Sequence, residues 1–188
     1  MSMRPTQLSG CLLVATPEID EGIFFRSVIL VLHHGPDGAQ GVILGRPLEA
    51  QVDAVLPGWG SAAPDCERLF QGGPVEVDSA LAVARLGGDG PTPTGLRRVL
   101  PGIGLVDLDG DPHALSGMVV GLRIFAGYAG WTAGQLEAEI DAGSWYVVAR
   151  ESGDGFGPVG QDLWRTVLAR QRGALALVAS YPRDPGMN

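Results

Sequence analysis

Gly127-Tyr-Ala-Gly-Trp-Thr-Ala-Gly-Gln-Leu-Glu-Ala-Glu-Ile140 is the stretch on which the reading of this chain turns. Within it, Thr132 and Gln135 stand in the S/T-x-x-E/Q relation of a capping box, which satisfies orphan amides at a helix start. Leu136 and Ile140, four residues apart, give that helix one apolar stripe, and Gly143 is a natural left-handed stop. Upstream, glycines set Tyr128 and Trp131 beside the helix. The stretch predicts a rigid platform with two aromatic rings, and it contains no nucleophile, metal cluster or phosphate loop.

Outward from the platform, the chain reads mostly as strands. Met118–Phe125 enters the motif as an apolar strand. Residues 10–16 form a continuous apolar run closed by Pro17, the mark of a strand buried on both faces. Ser27–His33 and the segment from Gly41 flank Gly35-Pro36-Asp37-Gly38, and this strand–turn–strand pattern predicts a β-hairpin. Arg46-Pro47 ends that ladder, because proline lacks the next amide. Gly72-Gly73-Pro74 is a sharp turn before a strand over Ala80–Arg85. Ile103–Leu108 reads as a strand leading to Asp109-Gly110, a hairpin signal weakened by Pro112. Residues 48–69 read as two short helical pieces around a loop, and residues 86–102, dense in glycine and proline, as an exposed loop. Trp145–Ala149 predicts a strand. Gln161–Gln171 predicts an amphipathic helix with Leu163, Trp164, Val167 and Leu168 on one stripe. Ala174–Ala179 is too short to classify. Many strands, few helices and no regular alternation give an α+β fold, in one domain over residues 1–188.

Composition narrows the function classes. The 188 residues are 45% hydrophobic and 18% charged, with 29 glycines and 14 prolines, so the chain is globular and rich in turns. All 13 basic residues are arginine, a pattern that genomic codon bias produces without functional cause. The net charge of -8 repels phosphate backbones and anionic membranes, which argues against direct nucleic-acid binding. Arg97-Arg98 and the set Arg165, Arg170 and Arg172 are the only local exceptions, and the second set reads as a solvated helix face. Cys11 and Cys66 have no zinc spacing, and nothing favours a disulfide between them. No apolar run of 18 residues and no leader pattern occurs, so a cytoplasmic, reduced protein is expected.

Individual residues carry little recognisable chemistry. His33 and His34 are neighbours on a strand and point to opposite faces, so one metal could not easily take both. His34 is expected to orient the Asp37-Gly38 turn. Asp107, Asp109 and Asp111 suggest a calcium loop, but Pro112 and Met118 stand where glycine and glutamate are required. The Gly72-Gly73-Pro74 turn offers amides to an anion without the lysine or helix start of a phosphate loop. Glu137 and Glu139 fall about 200° apart around a helix, which separates them as an acid–base pair. No nucleophile elbow or zinc-protease motif is present. Arg26 and Arg46 flank buried strands, where a guanidinium must find carboxylates or carbonyls. Ion pairing to Glu137 or Glu139 is the leading expectation, and an anion-binding cleft built from the same arginines is the competing one.

Several of these segments together resemble the AlgH/YqgE family of bacterial proteins. The matching residues are Gly10, Leu13 to Pro17, Phe24, Arg26-Ser-Val28, His34, Asp37-Gly-Ala39, Gly41, Arg46-Pro47 and Gly72-Gly-Pro-Val75. The most specific block is Gly127-Tyr-Ala-Gly-Trp131 with Gly134-Gln-Leu-Glu137, Glu139 and Trp145, and Leu163-Trp164 extends the match to nearly full length. Two departures stand out: Gly45 replaces an asparagine before Arg-Pro, and Ala82-Val-Ala-Arg85 replaces a Leu-His ending. The resemblance implies a complex single domain, a bifurcated mixed β-sheet curled into a pseudo-barrel with a few flanking helices. It also implies a cytosolic protein of unassigned chemistry, some members being named transcriptional regulators.

The expectation is therefore a non-enzymatic binding or regulatory protein with no cofactor or metal, acting on an unidentified protein or small-molecule partner. Its recognition patch would gather Arg26, His34, Arg46, Gly72, Gly73, Pro74, Tyr128, Trp131, Gln135 and Glu137. An enzyme using an arginine–carboxylate cleft is the alternative.

Overall fold

The computed structural model describes residues 7–115, 117–159 and 162–184. The apolar N-terminal run becomes β1 (Leu12–Ala15), flanked antiparallel by β2 (Val28–Gly35) and by the late strand β10 (Trp145–Val148). Leu12 and Val14 enter one apolar cluster while Leu13 and Ala15 enter another, and all four are fully buried. Successive residues of a strand face opposite sides, so a run without polar residues suits a strand covered on both. β2 turns through Pro36-Asp37 into β3 (Gly38–Ile43), the hairpin predicted from sequence.

The trunk of the sheet is β9 (Val119–Thr132). One of its edges carries the long strand β6 (Val75–Leu86), antiparallel. The other edge is shared. The short β5 (Arg68–Gln71) lies parallel against Ile124–Ala126, and then β3 takes over antiparallel against Ala129–Thr132. The sheet forks at this change of partner. β5 carries β4 (Pro47–Gln51) on its far side, and β8 (Ile103–Val106) and β7 (Leu96–Leu100) extend the sheet beyond β6. The main path is β10-β1-β2-β3-β9-β6-β8-β7, with β4 and β5 as the branch. This is the α+β, bifurcated, curled mixed sheet that the resemblance implied.

The interior of the curl is one apolar cluster drawing on both halves of the sheet, from Leu30 and Val42 to Val83, Ile103 and Phe125. Helix α3 (Leu163–Ala169) plugs it with Trp164, Val167 and Leu168, all buried. Each such side chain contributes roughly 1.5–3 kcal/mol. Helix α2 (Gln135–Asp141) covers the outer face of β1, β2 and β3 through Leu136. The short α1 (Val52–Val55) packs Val52 under the branch, and α4 (Ala174–Val178) follows α3.

Local expectations differ from this at several points. Residues 48–69 hold two strands and one four-residue helix, because Pro57, Gly58, Gly60 and Pro64 leave no room to propagate a helix. Pro47 opens β4 instead of ending all pairing, a position where proline is tolerated. Residues 86–102 contain β7, anchored by buried Leu96, and the β7–β8 hairpin turns at Pro101-Gly102. Asp109-Gly110 is not that turn. There the Asp107 carboxylate accepts from the Asp109 amide at 3.0 Å, and Asp111 accepts from the His113 amide at 2.9 Å. These are Asx turns leading into a 3-10 turn at Pro112–Leu115, the solvated-turn reading of that acidic run.

The strand expected over Met118–Phe125 continues to Thr132, straight through the glycine motif. Only half of the capping box forms: Gln135 Oε1 accepts from the Thr132 amide at 3.0 Å, while Gly134 at φ 75° occupies the cap itself. Of the helix expected over Gln161–Gln171, Gln161 lies outside the described residues, and the rest is α3 with Asp162 capping the Arg165 amide at 3.2 Å. Arg170 is not on a solvated face, since it grips Asp154 with both Nη atoms at 2.7 and 2.6 Å. Cys11 precedes β1, half-buried, rather than lying within it, and both cysteines are free. Burial pushes the Cys66 thiol up to about 11.

Candidate functional site

The residues grouped by sequence fall into three neighbourhoods. The first surrounds α2. Buried His34 meets Glu137 Oε1 at 2.8 Å through Nε2, and its Nδ1 lies 3.2 Å from Gln7 Oε1. It does not orient the Asp37 turn; exposed His33 reaches Asp37 instead, at 3.4 Å. The period of the strand explains the exchange, since the inward neighbour faces the helix. The Glu137 carboxyl is held below its ordinary range first by its own backbone amide and then by His34. Glu139, one position pair further, is a hub: Oε2 accepts from Trp131 Nε1 at 2.9 Å and from Trp145 Nε1 at 2.8 Å, and Oε1 accepts from Gln135 at 3.0 Å. Trp131 is buried and stacks edge-on against Trp145, with centroids 6.3 Å apart. This neighbourhood clamps a helix to a sheet.

The second neighbourhood is the fork. The Gly72 amide donates to Ala126 O at 2.9 Å, and Gly72 O accepts from Ile43 at 2.8 Å, so this residue links β3 to β9 where the sheet divides. A Cβ on Gly72 would overlap Gly127 O, and one on Gly73 would overlap the Tyr128 carbonyl. A Cβ on Gly127, at φ 69°, would lie 2.6 Å from Gly73 O and 2.8 Å from Val75 O. These glycines exist to let two backbones touch. With Pro74 between them and β6, they converge on each other and leave no open turn around the Gly72 amide.

The third neighbourhood is an open cleft of about 360 Å³, bounded by the β3–β4 junction, the turn before β2 and the start of α3. Arg26, Arg46 and Arg183 line it with the single carboxylate Asp162, beside Phe25 and Trp164. Neither Arg26 nor Arg46 pairs with Glu137 or Glu139, because those carboxylates are engaged by His34, Gln135 and the two indoles. Arg46 instead donates to main-chain oxygens, to Ile23 through Nη1 and to Phe25 at 2.5 Å through Nη2. Arg26 donates to Tyr181 O and lies 4.4 Å over the Trp164 ring. Its Nη1, and the hydroxyl of the following Ser27, are buried with no partner among the described residues. Its backbone is held at φ 50°, a left-handed conformation rare for a non-glycine residue. Asp162 is engaged by Arg165 and Arg183, each at 3.4 Å.

Uncompensated positive charge follows from this arrangement. Burial first, and then repulsion from Arg165, lower the Arg26 pKa against a partial opposing pull from Asp162, while burial alone lowers that of Arg46. Both still carry charge near neutrality, since a guanidinium loses its proton only in strongly basic solution. Gly45, at φ 73°, floors the cleft, and a Cβ there would stand in ordinary contact with Leu163 at 3.5 Å. Asparagine, which the resemblance implies at this position, is the other side chain that readily adopts a left-handed backbone. The glycine keeps the turn and opens the floor.

Sequence reasoning placed Arg26 and Arg46 together and missed Asp162, Trp164 and Arg183, which come from the far end of the chain. An aspartate directly before a helical stripe was a legible cap signal for Asp162; Arg183 left no signal at all. Glu139 was read as an ion-pair partner for the arginines, and its role as acceptor of two indoles was missed.

The family profile described as AlgH-like matches residues 12–176. A UPF0301 protein of Streptomyces coelicolor is 50% identical over 186 residues, covering 97% of this chain and 96% of the relative. A UPF0301 protein of Mycobacterium marinum is 44% identical over 182 residues, covering 96% and 90%. A crystal structure of a Corynebacterium diphtheriae protein superposes with a TM-score of 0.87 at 32% identity, over 96% of this chain and 95% of that one. The solution structure of the AlgH protein from Pseudomonas aeruginosa has a TM-score of 0.69 at 23% identity, covering 97% and 98%, and shares the fold. The β-strands, the fork and the motifs that build it run through the whole matched span, and the chain belongs to the AlgH-like family.

Proposed function

We propose that this protein is a non-enzymatic binding protein whose cleft at the β3–β4 junction takes a small organic anion. One observation carries the reading: Arg26 and Arg46 line a single cleft and neither is ion-paired to a carboxylate among the described residues, in a chain of net charge -8. An anion there relieves the repulsion that Arg165 and Arg183 exert on Arg26, and charge-assisted bonds to arginine are the strong ones. Phe25 and Trp164 supply apolar faces for the ligand's carbon skeleton. The enzymatic alternative needs a free carboxylate beside the arginines, and Asp162 is already engaged by two of them and by the Arg165 amide.

Occupancy of the cleft would tie α3 and the segment reaching Arg183 to the β3–β4 junction, so ligand state is communicated to a partner protein through that surface. The overall negative charge supports such indirect regulation over direct contact with DNA. No helix among the described residues is long and apolar enough to cross a membrane, and the reading includes a cytoplasmic location. The test is titration with aryl and alkyl carboxylates, followed by tryptophan fluorescence and calorimetry. Saturable carboxylate binding lost in Arg26→Gln supports the proposal; carboxylate binding that survives Arg26→Gln, or none across the series, sinks it.

A further inference from the structure

A second cationic pocket, of about 300 Å³, opens on the rim of the sheet where the end of β6, the β7–β8 turn and the segment after β10 meet. Arg85 and Arg150 line it with Ser152, and among the described residues no carboxylate does. Arg150 is held by its Nη2 donating to Pro101 O at 2.9 Å, and Arg85 stacks 6.0 Å over Phe156. The Nε atoms of both are buried without a partner among the described residues, so neither guanidinium is satisfied by its surroundings. Arg123, nine-tenths and more buried and outside the pocket lining, lies 6.0 Å from the same Phe156 ring and donates only to main-chain oxygens.

The acids nearest in sequence are turned away. Asp154 receives both Nη atoms of Arg170, and Glu151 lies 3.4 Å from Arg170 as well. The loop after β10 thus sorts its charges, acids toward α3 and Arg150 toward the rim.

We infer that the rim pocket binds the phosphate group of a small phosphorylated molecule, independently of the cleft between β3 and α3. One guanidinium comes from β6 and the other from the segment after β10, Ser152 lines the same pocket, and a tetrahedral dianion accepts from several directions where a planar carboxylate is satisfied by one fork. The volume exceeds that of phosphate alone. Leu86, Pro101 and the 42%-exposed Val120 give the remainder an apolar wall for the carbon group of the ester.

Phenyl phosphate and inorganic phosphate are the probes, titrated at constant ionic strength with chloride as the balancing anion. The arginine Nε–Hε resonances report the site. Saturable shifts at Arg85 and Arg150 are expected, with phenyl phosphate binding several-fold tighter than inorganic phosphate. The double variant Arg85→Gln/Arg150→Gln weakens binding at least tenfold, Arg85→Lys only partially, and Arg26→Gln not at all. Circular dichroism and Arg85→Lys separate loss of binding from loss of fold. Non-saturable shifts, or affinity unchanged in the double variant, overturn the site; equal affinity for the two probes overturns the ester. Binding removed by Arg26→Gln alone assigns the anion to the cleft and overturns the inference while leaving the proposed function standing.

Discussion

The fork of the sheet and the cleft beside α3 are built from opposite materials. At the fork, backbone meets backbone: Gly72 and Gly73 lie against Gly127 and Tyr128, and the amides there close onto Ala126 and Gly72 carbonyls. Beside it Glu139 satisfies two indoles and Gln135 at once. In the cleft, charge is left over: Arg26 and Arg46 find only carbonyls, and the one acid serves Arg165 and Arg183. Motifs that look like sites in the sequence are therefore joints of the scaffold. The proposed site lies where the Arg26 turn, the β3–β4 junction and a helix cap come together.

The contrast breaks first at the fork. Gly73→Ala places a methyl group onto the Tyr128 carbonyl, backbone against backbone, with no side chain that can yield. Overpacking in closed sites costs about 1–3 kcal/mol and more when backbone must shift, so a loss above about 3 kcal/mol in urea unfolding is expected. Gly22→Ala is the control: its φ is 77° but nothing lies within 4 Å, so only the left-handed cost of about 1–2 kcal/mol applies. Equal losses at the two positions would show that the fork contact is not tight. Next in size is Glu139→Ala, which strands two indole donors on the covered face of the sheet. About 2 kcal/mol is expected, with Glu139→Gln recovering part of it, since an amide oxygen still accepts.

The same contrast explains what could be read from the sequence. β1 declared itself because a strand covered on both faces has no polar residue to interrupt it, and the β2–β3 hairpin because Pro36-Asp37 between two glycines has few other conformations. The fork did not, although all its glycines were conspicuous. A glycine that permits a turn and a glycine that permits a close approach carry the same letter, and only the partner 55 positions away distinguishes Gly72 from an ordinary bend. The cleft was half visible. Arg26 and Arg46 announced buried guanidinium groups, but partner choice between a carboxylate and a carbonyl is decided by tertiary geometry. β7 was hidden for a different reason: a glycine- and proline-rich stretch gains its order from pairing with β8, a contact that local propensity does not contain.

A smaller effect tests the α2 clamp by pH. The folded-state pKa of Glu137 lies below its unfolded value, so its contribution is fully present above the ordinary glutamate range and disappears as pH falls through the folded pKa. Glu137 is half-exposed, which keeps the contribution below about 1 kcal/mol. Urea midpoints measured from pH 7 down through pH 3 should converge for the wild type and Glu137→Gln at the acid end. A constant offset across the range would show that the carboxylate charge contributes nothing.

The smallest expected change in stability belongs to the residue with the largest expected role. Arg26 sits at φ 50°, a conformation costing on the order of 1–3 kcal/mol outside glycine. Its guanidinium returns part of that through the Trp164 face, about 0.5–2 kcal/mol for a cation–π contact, and through Tyr181 O. Arg26→Gly removes strain and contacts together, so its unfolding midpoint should stay within about 1 kcal/mol of the wild type. Anion binding in the cleft should nevertheless fall at least tenfold. A scaffold residue at a strained turn gains from glycine or loses its packing, but it does not lose a ligand. If Arg26→Gly destabilises strongly and binds as before, the turn belongs with the fork, and the cleft has no claim to be the site.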